Sequence, residues 1–292
     1  MFGDCEMNVL SLFDGMSCGQ IALGQADIKI DNYYASEIKK HAIELTQDNY
    51  PDTIQLGDVK KLDVKSLPKI DLLIGGSPCQ DFSRVNRERL GLDGEKSGLF
   101  FEYLRIYREL KNLNRNMNFL LENVIMDDYS YSFISDSIDC DPVRINSSLV
   151  SAQLRDRLYW TDIKPFSIDL FGRLVSNIKQ PLNKNIYLKD ILTSGYTDRM
   201  KSKALLESDS RPLATPSKIW HRYHDIGFTT IVFSDESLDW KEGVRYLNQT
   251  ELERLQTVPE GYTKLLTRNK AASLLGDGWT IDVIAHIFKG LK

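Results

Sequence analysis

A cysteine follows an apolar segment in a position that suits covalent chemistry. The run Ile70–Ile74 predicts a buried strand, and the hexapeptide GGSPCQ at 75–80 comes directly after it. Its two glycines allow close backbone approach to a ligand, and its proline restrains the backbone just before the thiol. Because α/β proteins place their chemistry at the carboxyl ends of strands, Cys79 is a candidate nucleophile. The alternative is that it is a small buried hydrophobic residue.

A second group of residues, near the N-terminus, has the pattern of a nucleoside-binding turn. Segment 9–19 (VLSLFDGMSCG) predicts a strand, a glycine-bearing turn and the start of a helix. Glu37 lies 22 residues beyond Gly15, at the end of the next predicted strand, where a carboxylate accepts hydrogen bonds from ribose hydroxyls. Asp58 follows the third predicted strand and suits an adenine amino group. Since GxGxxG is absent, the pattern favours S-adenosylmethionine over NAD; an ordinary tight βα connection is the alternative.

The elements that position these residues alternate along the first 160 residues. Such alternation predicts parallel strands joined by right-handed helical crossovers, which is a doubly wound α/β sheet. The pattern loosens between Asp162 and Val244, where we expect a smaller, irregular module. The predicted strands are Asn8–Phe13, Asn32–Ser36, Ile54–Leu56, Ile70–Ile74, Asn118–Glu122, Pro142–Asn146 and Arg157–Trp160. The predicted helices are Gly19–Ala26, Ile38–Asn49, Gly98–Leu113, Tyr131–Ser137, Gln249–Gln256, Asn269–Leu275 and Thr280–Lys289.

Composition restricts the class of protein. Of 292 residues, 42% are hydrophobic and 27% charged, which is ordinary for a soluble globular protein. No apolar run approaches the roughly 18 residues of a membrane span, and the N-terminus lacks the pattern of a secretory signal. The four cysteines are widely spaced, with no histidine cluster nearby, which argues against zinc and for a reducing compartment. We therefore expect a cytoplasmic protein that binds no metal and no membrane, and a monomer.

Charge is unevenly distributed along the chain, although the net charge of −4 does not itself indicate a nucleic-acid-binding protein. Between residues 195 and 224 there are six Lys or Arg residues against three Asp or Glu. Arg84, Arg87 and Arg89 also lie close together in one segment. A local basic face can bind DNA whatever the net charge is, and a solvated surface is the alternative.

With these motifs and several later ones in order, the chain resembles the DNA (cytosine-5) methyltransferases. The motifs are FDG at 13–15, SPCQ at 77–80, ENV at 122–124, QLRDR at 153–157, RYLNQTELERLQTVP at 245–259 and LGDGWT at 275–280. The resemblance runs from residue 8 to residue 287 and breaks only in the variable module. Segments 80–103 and 139–160 are most similar to the animal de novo branch, and the compact size suggests a prokaryotic or viral member.

The resemblance implies a fold and a division into domains. The fold is a doubly wound, mostly parallel seven-stranded sheet of the S-adenosylmethionine-dependent methyltransferase type, with a small target-recognition domain. Residues 1–162 and 268–292 would form the catalytic domain, and residues 163–267 the target-recognition domain and hinge.

It also implies a reaction and the residues that perform it. A cytosine would be flipped out of duplex DNA, because its C6 cannot be reached in the stack. Cys79, as thiolate, would attack C6, and Glu122 would hydrogen-bond N3 and the exocyclic amine. Arg155 and Arg157 lie two apart on a predicted strand; one would contact the flipped base or its phosphate, and the other would brace Glu122. Surface ion pairing is the alternative for these arginines.

The resemblance further assigns cofactor residues around the S-adenosylmethionine site. They are Phe13, Gly15, Ser17, Glu37, Ile38, Asp58, Val59, Pro78, Leu99, Asp277, Gly278 and Trp279. Core packing is the alternative for the apolar members. Two of them depart from the family: Ser17 replaces a glycine, and Asp277 stands where relatives have Asn or Arg. A carboxylate there would repel the cofactor's own carboxylate unless it faces the ammonium group or points outward.

Two segments are expected to contact double-stranded DNA. Segment 81–96 resembles the mobile loop that closes over the flipped base, and the basic, hydroxyl-rich stretch 209–218 belongs to the variable module. The candidate DNA-binding residues are Gln80, Ser83, Arg84, Val85, Arg87, Arg211, Thr215, Ser217 and Lys218.

Three other functions compete with this interpretation. A tRNA cytosine-5 methyltransferase of the same fold would carry a Cys-Phe-Thr tripeptide in the variable region, which this chain lacks. A catalytically silent DNA-binding homologue is disfavoured by the presence of Cys79, Glu122 and both arginines. An NAD-dependent oxidoreductase is disfavoured because GxGxxG is absent.

Overall fold

The computed structural model describes residues 7–77, 98–227 and 229–292. The strands in this part of the chain are β1 (Asn8–Leu12), β2 (Asn32–Ser36), β3 (Ile54–Gln55), β4 (Leu72–Gly76), β5 (Asn118–Val124), β6 (Cys140–Asp141), β7 (Val143–Asn146), β8 (Gln153–Leu154), β9 (Asp156–Thr161), β10 (Phe166–Ile168), β11 (Leu174–Ser176), β12 (Ser202–Lys203), β13 (Ile231–Phe233) and β14 (Val244–Tyr246). The helices are α1 (Cys18–Gln25), α2 (Lys40–Asn49), α3 (Gly98–Leu113), α4 (Asp128–Ile138), α5 (Leu188–Ile191), α6 (Pro216–His221), α7 (Gln249–Leu255), α8 (Arg268–Asp277) and α9 (Ile281–Phe288).

Seven strands form one sheet in the order β3-β2-β1-β4-β5-β9-β7. The strands from β3 to β5 pair in parallel, whereas β9 runs antiparallel to β5. Consecutive residues of the central strands, such as Val9 and Leu10 or Leu72 and Leu73, are all fully buried. A sheet is buried on successive residues only when both of its faces are covered. The predicted α/β fold with a mostly parallel seven-stranded sheet is therefore confirmed.

The chain divides into two compact units. The first consists of Met1–Ile145, Asp156–Gln180 and Ala285–Lys292, and the second of Asn146–Arg155 and Pro181–Ile284. The first unit contains the large sheet, whose core packs Leu10 and Leu73 against Phe100 of α3. The second contains two small sheets, β12–β8 and β13–β14, and a core around Tyr223 and Phe233.

The compact units do not coincide with the predicted domains. The end of the chain, from Ala285, belongs to the first unit, but α8 and the start of α9 belong to the second. The predicted division into a catalytic domain, 1–162 with 268–292, and a target-recognition domain, 163–267, stays a prediction.

One local expectation is wrong. Gly75 and Gly76, expected to follow the strand, are the last two residues of β4 and continue its parallel pairing with β5. Pairing on both sides of β4 compensates for the low strand propensity of glycine. A Cβ on Gly75 would lie 3.1 Å from the Leu12 carbonyl oxygen and from the ring of Tyr103, so a glycine fits the tight packing here.

Candidate active site

The predicted cofactor turn connects β1 to α1 and is held by the carboxylate of Glu37. Gly15, at a φ of +59°, donates its N–H to Glu37 Oε2 at 2.8 Å. Glu37 Oε1 accepts from the N–H of Ile38 at 2.7 Å and from that of Lys39 at 2.8 Å, just before α2. The carboxylate thus joins the ends of β1 and β2. Because a carboxylate has about four acceptor positions, Glu37 retains capacity for a ribose hydroxyl.

A buried carboxylate that the sequence analysis did not select supports the same turn. Asp14 Oδ1 accepts from the hydroxyl of Tyr33 at 2.8 Å, and Oδ2 accepts from that of Ser17 at 2.6 Å. Burial raises the pKa of Asp14, although hydrogen bonds from the neighbouring hydroxyls oppose the shift. Ser17 has a φ of +61°, where glycine is favoured, and its hydroxyl contacts explain how a serine is accommodated. A polar residue next to Gly15 after a buried strand was the available signal for Asp14.

The remaining described cofactor candidates of the first unit differ in what their side chains contact. Ile38 is 72% exposed at the end of β2, so its side chain is available to cover a planar ligand. Asp58 follows β3 and accepts a hydrogen bond from the N–H two residues further on, at 3.0 Å. Val59 is buried in the core, and Phe13 and Leu99 pack against that core. Core packing therefore accounts for Val59, while Ile38 and Asp58 remain accessible for binding.

The predicted catalytic acid lies at the carboxyl end of β5 and is paired with an arginine. Arg157 Nε lies 2.8 Å from Glu122 Oε1, and the two side chains are only 15% and 11% exposed. The parallel register places Glu122 opposite Gly76, and the next residue, Asn123, donates to Ser77 Oγ at 3.1 Å. The acid, its arginine and the start of the SPCQ motif therefore meet at one edge of the sheet.

Arg155 lies in the second unit and has different partners. Its guanidinium donates to the carbonyl of Leu205 at 3.1 Å and to those of Gly276 and Gly278 at 3.1 and 2.9 Å. The candidates Asp277, Gly278 and Trp279 belong to the same unit, at the end of α8 and just beyond it. The two arginines, equivalent in the sequence pattern, thus have separate contacts.

The candidate DNA-binding residues of the second unit are exposed. Arg211, Thr215, Ser217 and Lys218 lie before α6 or in its first turn. Arg211 pairs with Glu207 at 2.9 Å on the surface. Seven other candidates lie outside the described residues: Pro78, Cys79, Gln80, Ser83, Arg84, Val85 and Arg87.

Membrane-spanning helices and metal-binding clusters are both absent from the described residues. No helix there is both long and apolar enough to span a membrane. No group of three or more His, Cys, Asp or Glu side chains in these ranges is arranged to hold a metal ion.

Comparison with known sequences finds proteins that are similar to the N-terminal part of the chain. Residues 7–126 match the model of the C-5 cytosine-specific DNA methylase family. The type II methyltransferase M1.ScrFI of Lactococcus lactis subsp. cremoris is 39% identical over 119 residues, which are 41% of this chain and 29% of that protein. The orphan methyltransferase M.Rho11sI of Bacillus phage rho11s is 37% identical over 121 residues, 41% of this chain and 23% of that protein. The match thus spans less than a third of these curated relatives, and it implies S-adenosylmethionine as the methyl donor.

Comparison with solved structures extends over the whole chain but concerns the fold. The Dnmt2 methyltransferase of S. pombe superposes with a TM-score of 0.70 at 17% identity, covering 97% of this chain and 98% of that one. The Entamoeba histolytica methyltransferase EhMeth gives 0.68 at 16% identity, covering 98% and 99%. The chain therefore has the fold of these methyltransferases.

Proposed function

We propose that the chain is a site-specific DNA cytosine-5 methyltransferase, because residues 7–126 match the model of the C-5 cytosine-specific DNA methylase family. The observation that carries the proposal is the nearly buried pair of Glu122 and Arg157 beside Ser77. Cys79, the candidate nucleophile, follows Ser77 by two residues in the sequence and lies outside the described residues.

The residues at this edge can each take a part in the reaction. A cytosine flipped from the duplex would receive the Cys79 thiolate at C6. Glu122 would hydrogen-bond N3 and the exocyclic amine, which draws charge from the ring and assists attack. Arg157 holds the Glu122 carboxyl in place through the ion pair at 2.8 Å. S-adenosylmethionine, when bound, supplies the methyl group for C5. Loss of the C5 proton and departure of the Cys79 sulfur from C6 then restore the aromatic base.

The turn at the end of β1 fits the adenosine part of this cofactor. Glu37 has acceptor capacity for the ribose, and the exposed Ile38 side chain can cover an adenine face. Asp58 stands at the end of the neighbouring strand for the adenine edge. A tight turn between a strand and a helix, with a carboxylate at the next strand end, is the usual arrangement for nucleosides in α/β sheets.

DNA is the proposed substrate because the second unit offers an exposed basic segment. Arg211 and Lys218 flank the hydroxyl groups of Thr215 and Ser217, and all four side chains are exposed. Arginine and lysine contact phosphates, while hydroxyls reach phosphates or base edges. Arg222 donates to the carbonyl of Arg211 at 3.4 Å, which ties this segment to the helical residues that follow it.

The decisive experiment measures transfer from methyl-labelled S-adenosylmethionine to duplex DNA, with single-base mapping, for wild type and Cys79→Ala. We expect 5-methylcytosine in one recognition sequence and no transfer by the variant. Cys140→Ala is the matched control, because Cys140 is buried and burial raises its pKa to about 12, which keeps this thiol protonated.

A duplex with 5-fluorocytosine at the target tests the covalent step separately, because the fluorine blocks loss of a proton from C5. We expect a covalent complex with wild type and with Cys140→Ala, and none with Cys79→Ala. Transfer to tRNA but not to DNA would assign the chain to the RNA-acting class. DNA binding without transfer to either would indicate a silent homologue.

A further inference from the structure

The motif QLRDR contributes a buried polar cluster to the second unit, built on Gln153 and Arg155. Gln153 is fully buried and bonds at both ends of its amide. Its Nε2 donates to the Leu255 carbonyl at 2.9 Å and to Gln256 Oε1 at 2.7 Å, and its Oε1 accepts from the N–H of Leu205 at 3.3 Å. Polar side chains this deeply buried are placed by their hydrogen bonds, so Gln153 joins three segments that are distant in sequence.

Arg155 acts on the end of α8. This side chain is 4% exposed, and one of its Nη atoms donates to the carbonyls of both Gly276 and Gly278. The last carbonyls of a helix have no partner within the helix and carry its negative dipole end. A guanidinium is suited to this position because it is always charged and presents several N–H groups in a fixed plane.

Residues 275–280, at the end of α8 and just beyond it, are also held by other hydrogen bonds and by packing. Gln256 Nε2 donates to the Leu275 carbonyl at 2.6 Å, and Thr280 Oγ1 donates to Gln256 Oε1 at 2.9 Å. A Cβ on Gly276 would lie only 3.0 Å from the backbone of Leu206, so α8 packs closely against the chain beside it. Residues 275–280 are therefore confined by hydrogen bonds and by packing.

We propose that Arg155 is a positioning residue: it holds segment 276–279 in the conformation that receives S-adenosylmethionine, rather than contacting the cytosine. The proposal rests on the proposed function and on the family resemblance, which assigns Asp277, Gly278 and Trp279 to the cofactor. It follows from where the guanidinium donates, namely to the carbonyls on either side of Asp277. Arg157, two residues later in the chain, is the arginine that pairs with the Glu122 carboxylate.

The test is steady-state methyl transfer by Arg155→Lys, which keeps the charge but not the planar array of donors. We expect the KM for S-adenosylmethionine to rise roughly ten- to a hundredfold, while kcat and the KM for DNA change less than about threefold. Gly276→Ala, which displaces the same segment but leaves the arginine side chain itself unchanged, should reproduce this pattern. Arg144→Lys, at an exposed ion pair in the first unit, is the control and should leave all three constants unchanged.

Two readouts separate this proposal from the proposed function. Hydrogen exchange of residues 275–282 needs no activity, and Arg155→Lys should lower their protection while leaving β4 and β5 protected. Binding of S-adenosylhomocysteine should weaken in parallel. A large fall in kcat with unchanged cofactor binding and unchanged exchange would place Arg155 at the base and overturn the proposal. Absence of methyl transfer by wild type, with the exchange and binding effects present, would refute the proposed function and leave the positioning role standing.

Discussion

Removing the Arg157 side chain should lower both the stability of the protein and its methyl-transfer activity, because Arg157 is the ion-pair partner of Glu122. Arg157 and Glu122 are only 15% and 11% exposed, so the small contribution typical of surface ion pairs does not apply. Removing one partner of a buried ion pair typically lowers the free energy of unfolding by about 3–5 kcal/mol, because the charge of the other partner is no longer compensated. We expect Arg157→Ala to lower the free energy of unfolding by about that amount, and to reduce methyl transfer at least a hundredfold.

A double-variant cycle in urea denaturation, followed by circular dichroism, tests the physical origin of this loss. Glu122→Gln removes the carboxylate charge, so Arg157→Ala combined with Glu122→Gln should regain at least half of the lost stability but none of the activity. Arg144→Ala is the control, because Arg144 is 65% exposed and its pair with Asp156 should contribute only about 0–1 kcal/mol.

Two results would refute the reasoning. A loss below about 1 kcal/mol for Arg157→Ala would mean that the pair behaves like a surface ion pair. A double variant no more stable than Arg157→Ala would mean that the loss comes from the packing of the guanidinium and not from the lost charge pairing with Glu122.

Three further predictions concern the cofactor turn. A Cβ on Gly19 would lie 2.5 Å from the Tyr33 hydroxyl oxygen, so Gly19→Ala should destabilise the protein by about 1–3 kcal/mol. Gly24→Ala in the same helix is the control, because a Cβ there meets nothing within 4 Å. Equal shifts of the denaturation midpoint for the two variants would contradict this prediction. Because burial raises the folded-state pKa of Asp14, the stabilisation linked to this group is present below its unfolded pKa and is lost as pH rises through the folded value. Asp14→Asn should therefore raise the Tm, measured by calorimetry, relative to wild type at about pH 8, and should raise it less at about pH 4. The opposite pH trend would exclude burial of the Asp14 carboxylate as the cause of the raised pKa. Glu37→Gln should weaken S-adenosylmethionine binding roughly tenfold by titration calorimetry, because an amide has one acceptor oxygen in place of two; unchanged affinity would remove Glu37 from the site.

Much of the fold could be predicted from the sequence because strand and helix patterns are local. The bounds of β2 and α3 are as expected, and those of the other predicted strands and helices differ by three residues or fewer at either end. Glu37 could be selected because it follows a predicted strand, where chemistry concentrates in α/β sheets, whereas Glu122 was assigned by the family resemblance. The family resemblance rests on the same short motifs, which need no knowledge of contacts.

The tertiary structure alone decided which partner each side chain has. Arg155 and Arg157 form one motif in sequence, yet Arg157 meets Glu122, 35 residues earlier, while Arg155 meets Gly276, 121 residues later. The antiparallel pairing of β9 with β5 brings Arg157 opposite Val124, two residues along β5 from Glu122, and no local pattern predicts that register. Local periodicity determines which helices and strands form. The contacts between side chains depend on how strands that are distant in sequence pair, and in this protein such a pairing places Arg157 beside Glu122.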